Sequence, residues 1–163
     1  MCLGTQAGAL TVTYQAVDLV DTVPGADRWR YDYALSGDLG EFEGVTLLFD
    51  VASFRTLQVV AAPDPAGLSS FLEQPSPVLS ADGLYTLSAE RPIAAERFGF
   101  ALAFDWVGRG SPGSQPYELF DADFNLMGSG LTAPVPEPAS ASLLMLALSA
   151  LALLLRRRRA RLA

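Results

Sequence analysis

Phe98-Gly-Phe-Ala-Leu-Ala-Phe-Asp-Trp106 is the stretch whose reading decides the fold. Every second residue is large and apolar: Phe98, Phe100, Leu102, Phe104 and Trp106. Gly99, Ala101, Ala103 and Asp105 stand between them. Successive side chains of an extended strand point to opposite faces, so a period of two gathers all the large residues on one side. A helix would scatter them around its axis. The same alternation recurs on both sides of this stretch. Leu10, Val12, Tyr14 and Ala16 alternate with Thr11, Thr13 and Gln15, and Trp29, Tyr31, Tyr33 and Leu35 with Arg30, Asp32 and Ala34. Val45, Leu47, Phe49 and Val51 share one face, and Leu57 to Val60 is a short apolar run. Tyr85 with Leu87, Tyr117 with Leu119, and Phe124 with Leu126 mark further strands.

Turn-forming clusters separate these runs: Val23-Pro24-Gly25, Ser36-Gly37-Asp38, Pro63-Asp64-Pro65, Gln74-Pro75-Ser76-Pro77, Ala81-Asp82-Gly83 and the Gly/Pro-rich 108–113. Seven or eight short strands so spaced predict an all-β fold. The expected architecture is an antiparallel β-sandwich, jelly-roll or immunoglobulin-like, over residues 10–132. Ala66 to Glu73 is the one place where a helical turn fits.

The chain has 163 residues, with no lysine and no histidine, and a net charge of −7. That charge is unevenly placed. Before Ala139, six arginines (Arg28, Arg30, Arg55, Arg91, Arg97 and Arg109) stand against all eighteen acidic residues, a balance of −12. A body this acidic repels nucleic acid, because phosphate affinity comes from Lys and Arg. Without histidine neither a Ser-His-Asp nor a Cys-His arrangement can form. Cys2 is the sole cysteine, so no intramolecular disulfide forms and a zinc site lacks its usual ligands. A carboxylate pair for glycoside hydrolysis stays open, but no acid falls in a recognisable motif. We expect no catalytic residue, no metal and no cofactor. Asp121-Ala-Asp-Phe-Asn125 places oxygen ligands at alternate positions, as a calcium loop does. Leu126 and Thr132 then occupy the places that need glycine and glutamate, so the stretch reads as a polar turn. Trp29 and Trp106 are candidate sugar-binding residues. Aromatics at a spacing of two on a strand equally suit a core.

The remaining charge lies at the C-terminus. Ala139 to Leu155 carries no charge and only three serines, Ser140, Ser142 and Ser149. Leu and Ala dominate it and favour helix. At 1.5 Å per residue the run spans about 25 Å, enough to cross a thin bilayer. Arg156, Arg157, Arg158 and Arg159 follow at once, a membrane stop within the basic tail 156–163. Arginines beside a spanning helix stay cytoplasmic, so the acidic body is expected outside the cytoplasm, with a single pass through the inner membrane. That orientation demands an export signal. Ala7-Gly8-Ala9 has the small-x-small form of a signal-peptidase site, so residues 1–9 read as the remnant of a truncated signal peptide, with the true start upstream. A short irregular N-terminus and a tail-anchored cytoplasmic protein are the other readings of these ends.

Val135-Pro136-Glu137-Pro138, the apolar run and the terminal arginine cluster, taken in order, resemble the PEP-CTERM sorting signal. The resemblance covers the chain from Val135 to its end. Pro136, Glu137 and Pro138 match the recognition motif within the linker 133–138, 139–155 the membrane helix, and Arg156 to Arg159 the cytoplasmic stop. The resemblance implies an exosortase, a membrane-embedded protease-transpeptidase of polysaccharide-producing Gram-negative bacteria, as partner. It also implies processing near the motif, with the body displayed at the surface or released. The physical logic is legible beside it. Prolines on both sides of Glu137 keep the segment extended, the form a protease cleft accepts. Two expectations for the body follow: a structural surface or matrix protein, or a carbohydrate-binding module for the cell's own exopolysaccharide. A simple anchored domain is the plainer alternative for the tail.

Overall fold

A computed structural model describes residues 10–63 and 67–135 of the chain. The described residues form ten strands and no helix: β1 (Thr11–Asp18), β2 (Asp27–Leu39), β3 (Gly44–Phe49), β4 (Phe54–Ala61), β5 (Leu68–Glu73), β6 (Gly83–Ala89), β7 (Ile93–Trp106), β8 (Pro116–Phe120), β9 (Leu126–Leu131) and β10 (Ala133–Pro134). They build two five-stranded sheets, ordered β10-β1-β2-β7-β4 and β5-β6-β3-β8-β9. Every pairing is antiparallel except that of β10, which lies parallel to β1.

The alternation dictates how the strands pair. β2 and β7 face each other with Trp29 opposite Phe104, Tyr31 opposite Leu102, Tyr33 opposite Phe100 and Leu35 opposite Phe98. All the large residues of both strands therefore project from the same face. The second sheet presents Val45, Leu47, Phe49, Tyr85 and Leu87 to one core with them. Rings from the two sheets meet directly: Tyr85 and Phe100 have centroids 5.1 Å apart, and Phe49 meets Phe54 edge-on at 5.3 Å. Offset and edge-on contacts of this kind add about 0.5–1.5 kcal/mol per pair beyond area burial.

The outward faces differ. On the first sheet Arg28 pairs with Asp105 at 2.9 Å and Arg30 with Asp32 at 2.8 Å. On the second, Thr46, Thr86 and Glu118 stand abreast across β6, β3 and β8, by register.

Four expectations are corrected in detail. Residues 68–73 form β5, an edge strand on β6, and not a helical turn. Leu68 and Leu72 are four apart, a spacing that puts two residues on one side of a helix or of a strand alike. Val51 lies in the turn after β3, and Phe124 in the turn before β9. Ala133 and Pro134, assigned to the linker, pair with Thr13 and Tyr14 of β1. The signal remnant 1–9, the motif residues Pro136, Glu137 and Pro138, the span 139–155 and the arginines Arg156 to Arg159 lie outside the described residues. Among the described residues no helix is long and apolar enough to cross a membrane.

Candidate functional site

The C-terminal segment leaves the body through a seam that its own sequence builds. β7 ends at Trp106, and the loop 107–115 returns the chain across the end of the sheets to β8. Gln115, the last residue of that loop, is only 2 % exposed. A buried amide must satisfy its donors and acceptor. Its Nε2 donates to the Tyr31 hydroxyl at 2.7 Å and to the Gly113 carbonyl, and its Oε1 accepts from the Tyr33 hydroxyl at 3.1 Å. The Tyr31 hydroxyl donates to the Gly113 carbonyl at 2.7 Å. Burial pushes both phenols well above the usual tyrosine range, and the Gln115 bond draws Tyr31 back in part.

The main chain continues the same network. Gln115 N–H donates to the Thr132 hydroxyl at 2.9 Å, and Thr132 N–H donates to the Gln115 carbonyl at 2.9 Å. Thr132 is itself 2 % exposed. Three residues on, Val135 N–H donates to the Tyr14 carbonyl at 2.8 Å. The chain is thus held from the core network at Gln115 to the edge of β1 at Val135, the residue that precedes Pro136.

A second feature is a groove of about 260 Å³ on the outward face of the second sheet, lined by Thr46, Thr86, Glu118, Phe120, Phe124 and Leu126 among others. The Thr46 and Thr86 hydroxyls share a hydrogen bond of 3.0 Å at its floor. Gly44 makes room for one wall: a Cβ there would lie 2.3 Å from the Phe120 ring and 2.2 Å from the Leu87 carbonyl oxygen. Phe124 stacks on Phe120 with centroids 5.5 Å apart and planes 16° from parallel. Phe124 holds φ at 61° and remains 80 % exposed. A left-handed backbone at a bulky residue is uncommon, and here the turn sets it. The Asp121 carboxylate accepts from Asp123 N–H, Asn125 N–H and the Asn125 amide, at 2.8–3.2 Å. Those bonds, Asn125 foremost, hold the Asp121 carboxyl below the usual carboxylate range. In the polar turn read from the sequence the Asp121 carboxylate is therefore bound within the turn, to main-chain N–H groups and to the Asn125 amide.

Trp29 and Trp106 are both half-buried, on the core-facing side of β2 and β7. Trp106 meets Phe54 edge-on at 5.0 Å and folds over its own loop, donating Nε1 to the Gly110 carbonyl at 2.6 Å. Trp29 donates Nε1 to Asp27 at 2.7 Å. The two indoles do not make a flat exposed platform. Both indole N–H groups have protein partners. Gln115, Thr132 and the Phe120–Phe124 pair carried no recognisable pattern in the sequence. Only a buried amide between Ser114 and Pro116, invisible as such, would have pointed to the seam.

Residues 134–159 match the family model described as the PEP-CTERM protein-sorting motif, the signal that the C-terminal residues resemble. The match takes in the C-terminal segment and leaves the two sheets uncovered, apart from Pro134 in β10. The motif implies export, anchoring in a membrane before processing, and an exosortase as the processing partner. No curated protein matches the chain.

Proposed function

We propose that this chain is an exported surface or extracellular-matrix protein of a polysaccharide-producing Gram-negative bacterium, cut at Pro136-Glu137-Pro138 by an exosortase and then displayed or released. The match over 134–159 carries the reading. In it 139–155 spans the inner membrane once, Arg156 to Arg159 stop the chain on the cytoplasmic side, and the body stands outside. The seam supports the arrangement. Pro134 and Val135, the first two matched residues, are bound to β1, so the body ends at the motif with no slack between them. The body is a non-catalytic β-sandwich whose role is presentation.

Intact mass of the protein from its native host, in membrane and medium fractions, tests the proposal. A C-terminus cut near Pro136 to Pro138 is expected, and a full-length tail kept in the membrane would overturn it. A second reading, a module that binds the cell's exopolysaccharide, now rests on the groove and not on Trp29 and Trp106. The groove joins an exposed ring, a carboxylate and two hydroxyls in a space of sugar-ring size. Loss of polysaccharide retention in Phe124→Ala, with Trp29→Phe unchanged, would favour it.

A further inference from the structure

The groove is part of a longer face. Residues directly opposite each other on neighbouring strands share a face. Phe71 of β5 stands opposite Thr86, Thr86 opposite Thr46, Thr46 opposite Glu118 and Glu118 opposite Ser129. One row therefore crosses all five strands of the second sheet, from a ring through two hydroxyls to a carboxylate and a third hydroxyl. In the next row Phe120 stands opposite Gly44, and Phe124 stacks on it. Three strand spacings of about 4.8 Å separate β5 from β8, so Phe71 and the Phe120–Phe124 stack flank the hydroxyls about 14 Å apart. Neither Phe71 nor Phe124 belongs to the core; they are 60 % and 80 % exposed. Phe124 holds its ring in water from a left-handed φ of 61°, a costly backbone for a bulky residue.

Charge on the body is sorted between the sheets. Arg28, Arg30, Arg55 and Arg97 stand on strands of the first sheet, and Arg91 and Arg109 in the turns before and after β7. The strands of the second sheet carry no base; their acids are Glu118 and, at the last residue of β5, Glu73. Among the described residues neither of these acids forms an ion pair.

We propose that this face binds a linear polysaccharide of amino sugars whose nitrogens are free ammonium groups, laid across the strands between Phe124 and Phe71. The inference rests on the second reading above, that the groove binds a polysaccharide, and adds the ligand's charge and direction. Each part of the face suits a part of that ligand. The C–H face of a sugar ring packs on an aromatic face, whose π-cloud is negative. The Thr46–Thr86 bond uses one of their two O–H groups and leaves the other, with free lone pairs, for the sugar hydroxyls. Glu118 takes the ammonium group in a charge-assisted hydrogen bond, the stronger kind. An ammonium over the face of Phe124 gains further from the ring quadrupole. A polysaccharide bearing carboxylates or sulfates would meet Glu118 and an acidic body, and is repelled. A basic peptide would neutralise Glu118 but leave the row of hydroxyls without matching partners.

The test is calorimetric titration of the full chain in detergent with a glucosamine hexasaccharide, its fully N-acetylated counterpart and hexalysine. The amine form is expected to bind about tenfold more tightly than the acetylated form, the difference a hydrogen bond to a charged group makes. Glu118→Gln should abolish that preference and leave the affinity for the acetylated form unchanged. Phe124→Ala and Phe71→Ala should each weaken both sugars about threefold to tenfold. All three side chains are exposed, so circular dichroism and the unfolding midpoint should stay as in the parent. Hexalysine should not bind. Equal affinity for the two sugar forms, or a preference that survives Glu118→Gln, would overturn the proposal and leave the polysaccharide reading standing. Hexalysine binding as tight as that of the amine sugar would overturn it in favour of a basic peptide. Unchanged affinity in Phe71→Ala would overturn the path across the strands. Binding of neither sugar would sink both this inference and the reading it rests on. No exosortase is present, so every result leaves the sorting proposal standing.

Discussion

The first sheet is built around its two longest strands, β2 with 13 residues and β7 with 14, while no strand of the second exceeds seven. The first sheet carries ion pairs on its outer face and has edges that are short or irregular. The second carries hydroxyls, one carboxylate and a ring-walled groove, and it ends in the uncharged β9. Both contribute to one core. Central aromatic packing and the outward groove are thus divided between the two sheets. Long aromatic strands and their polar seam hold the body and its exit segment. The shorter sheet carries the groove on its outer face.

The sharpest way to break that division is at the centre of the long sheet. Phe104 is fully buried and touches the Tyr31 and Phe54 rings at centroid distances of 4.7 and 5.0 Å. Phe104→Ala should cost about 3–5 kcal/mol by denaturant unfolding, as large-to-small core changes do. Leu119→Ala on β8, half-buried at the core margin, should cost about 2 kcal/mol or less. Equal costs would mean that the two sheets share the load.

Next is the seam. Gln115→Leu strands the Tyr33 hydroxyl and shifts the Gly113 carbonyl to Tyr31 alone. An unsatisfied buried group costs about 1–3 kcal/mol. The same tyrosines set a pH response. Their folded pKa values lie above the unfolded value of about 10, so the neutral forms are favoured by folding. That stability is fully present below pH 10 and is lost as the pH climbs from about 10 through the folded values. Unfolding midpoints measured from pH 8 to 12 should fall above about pH 10, and the fall should be shallower in Tyr33→Phe.

How much of this was legible in the sequence follows from range. β7, β2, β1 and β3 were readable because each carries its own alternation, and Phe98 to Trp106 alone sufficed for the central strand. The C-terminal signal was readable because its three parts are contiguous. β5 was misread because Leu68 and Leu72 satisfy two periods at once. β10 left no trace because two residues, one a proline, have no period. The seam was out of reach because Gln115 and Tyr31 are 84 residues apart and meet only once both sheets are folded. The groove was hidden for another reason: Phe124 reaches Phe120 only through a left-handed turn and the register shift between β8 and β9.

The second sheet has its own weak point at Gly44. A methyl group there meets the Leu87 carbonyl oxygen at 2.2 Å, which is backbone and cannot swing aside, as well as the Phe120 ring. Gly44→Ala should therefore cost about 1–3 kcal/mol, the range for overpacking, and release the Phe120–Phe124 stack. Loss of the stack would appear in the aromatic NMR shifts of both rings. A neutral Gly44→Ala would show that the groove wall yields easily and weaken its claim as a formed site.

The smallest effect sharpens the comparison most, because it separates packing from recognition. Trp29 stands on the core-facing side of the long sheet, and its indole N–H is bound to Asp27 on its own strand. Trp29→Phe keeps an aromatic ring against the core and removes one half-exposed hydrogen bond, a loss of about 1 kcal/mol. If tryptophans are core furniture and contact belongs to the short sheet, this variant shifts the unfolding midpoint slightly and leaves surface retention in the native host unchanged. Retention lost at unchanged stability would move the contact surface to the end of the first sheet, where Trp29 and Trp106 lie, and would reverse the division between the two sheets.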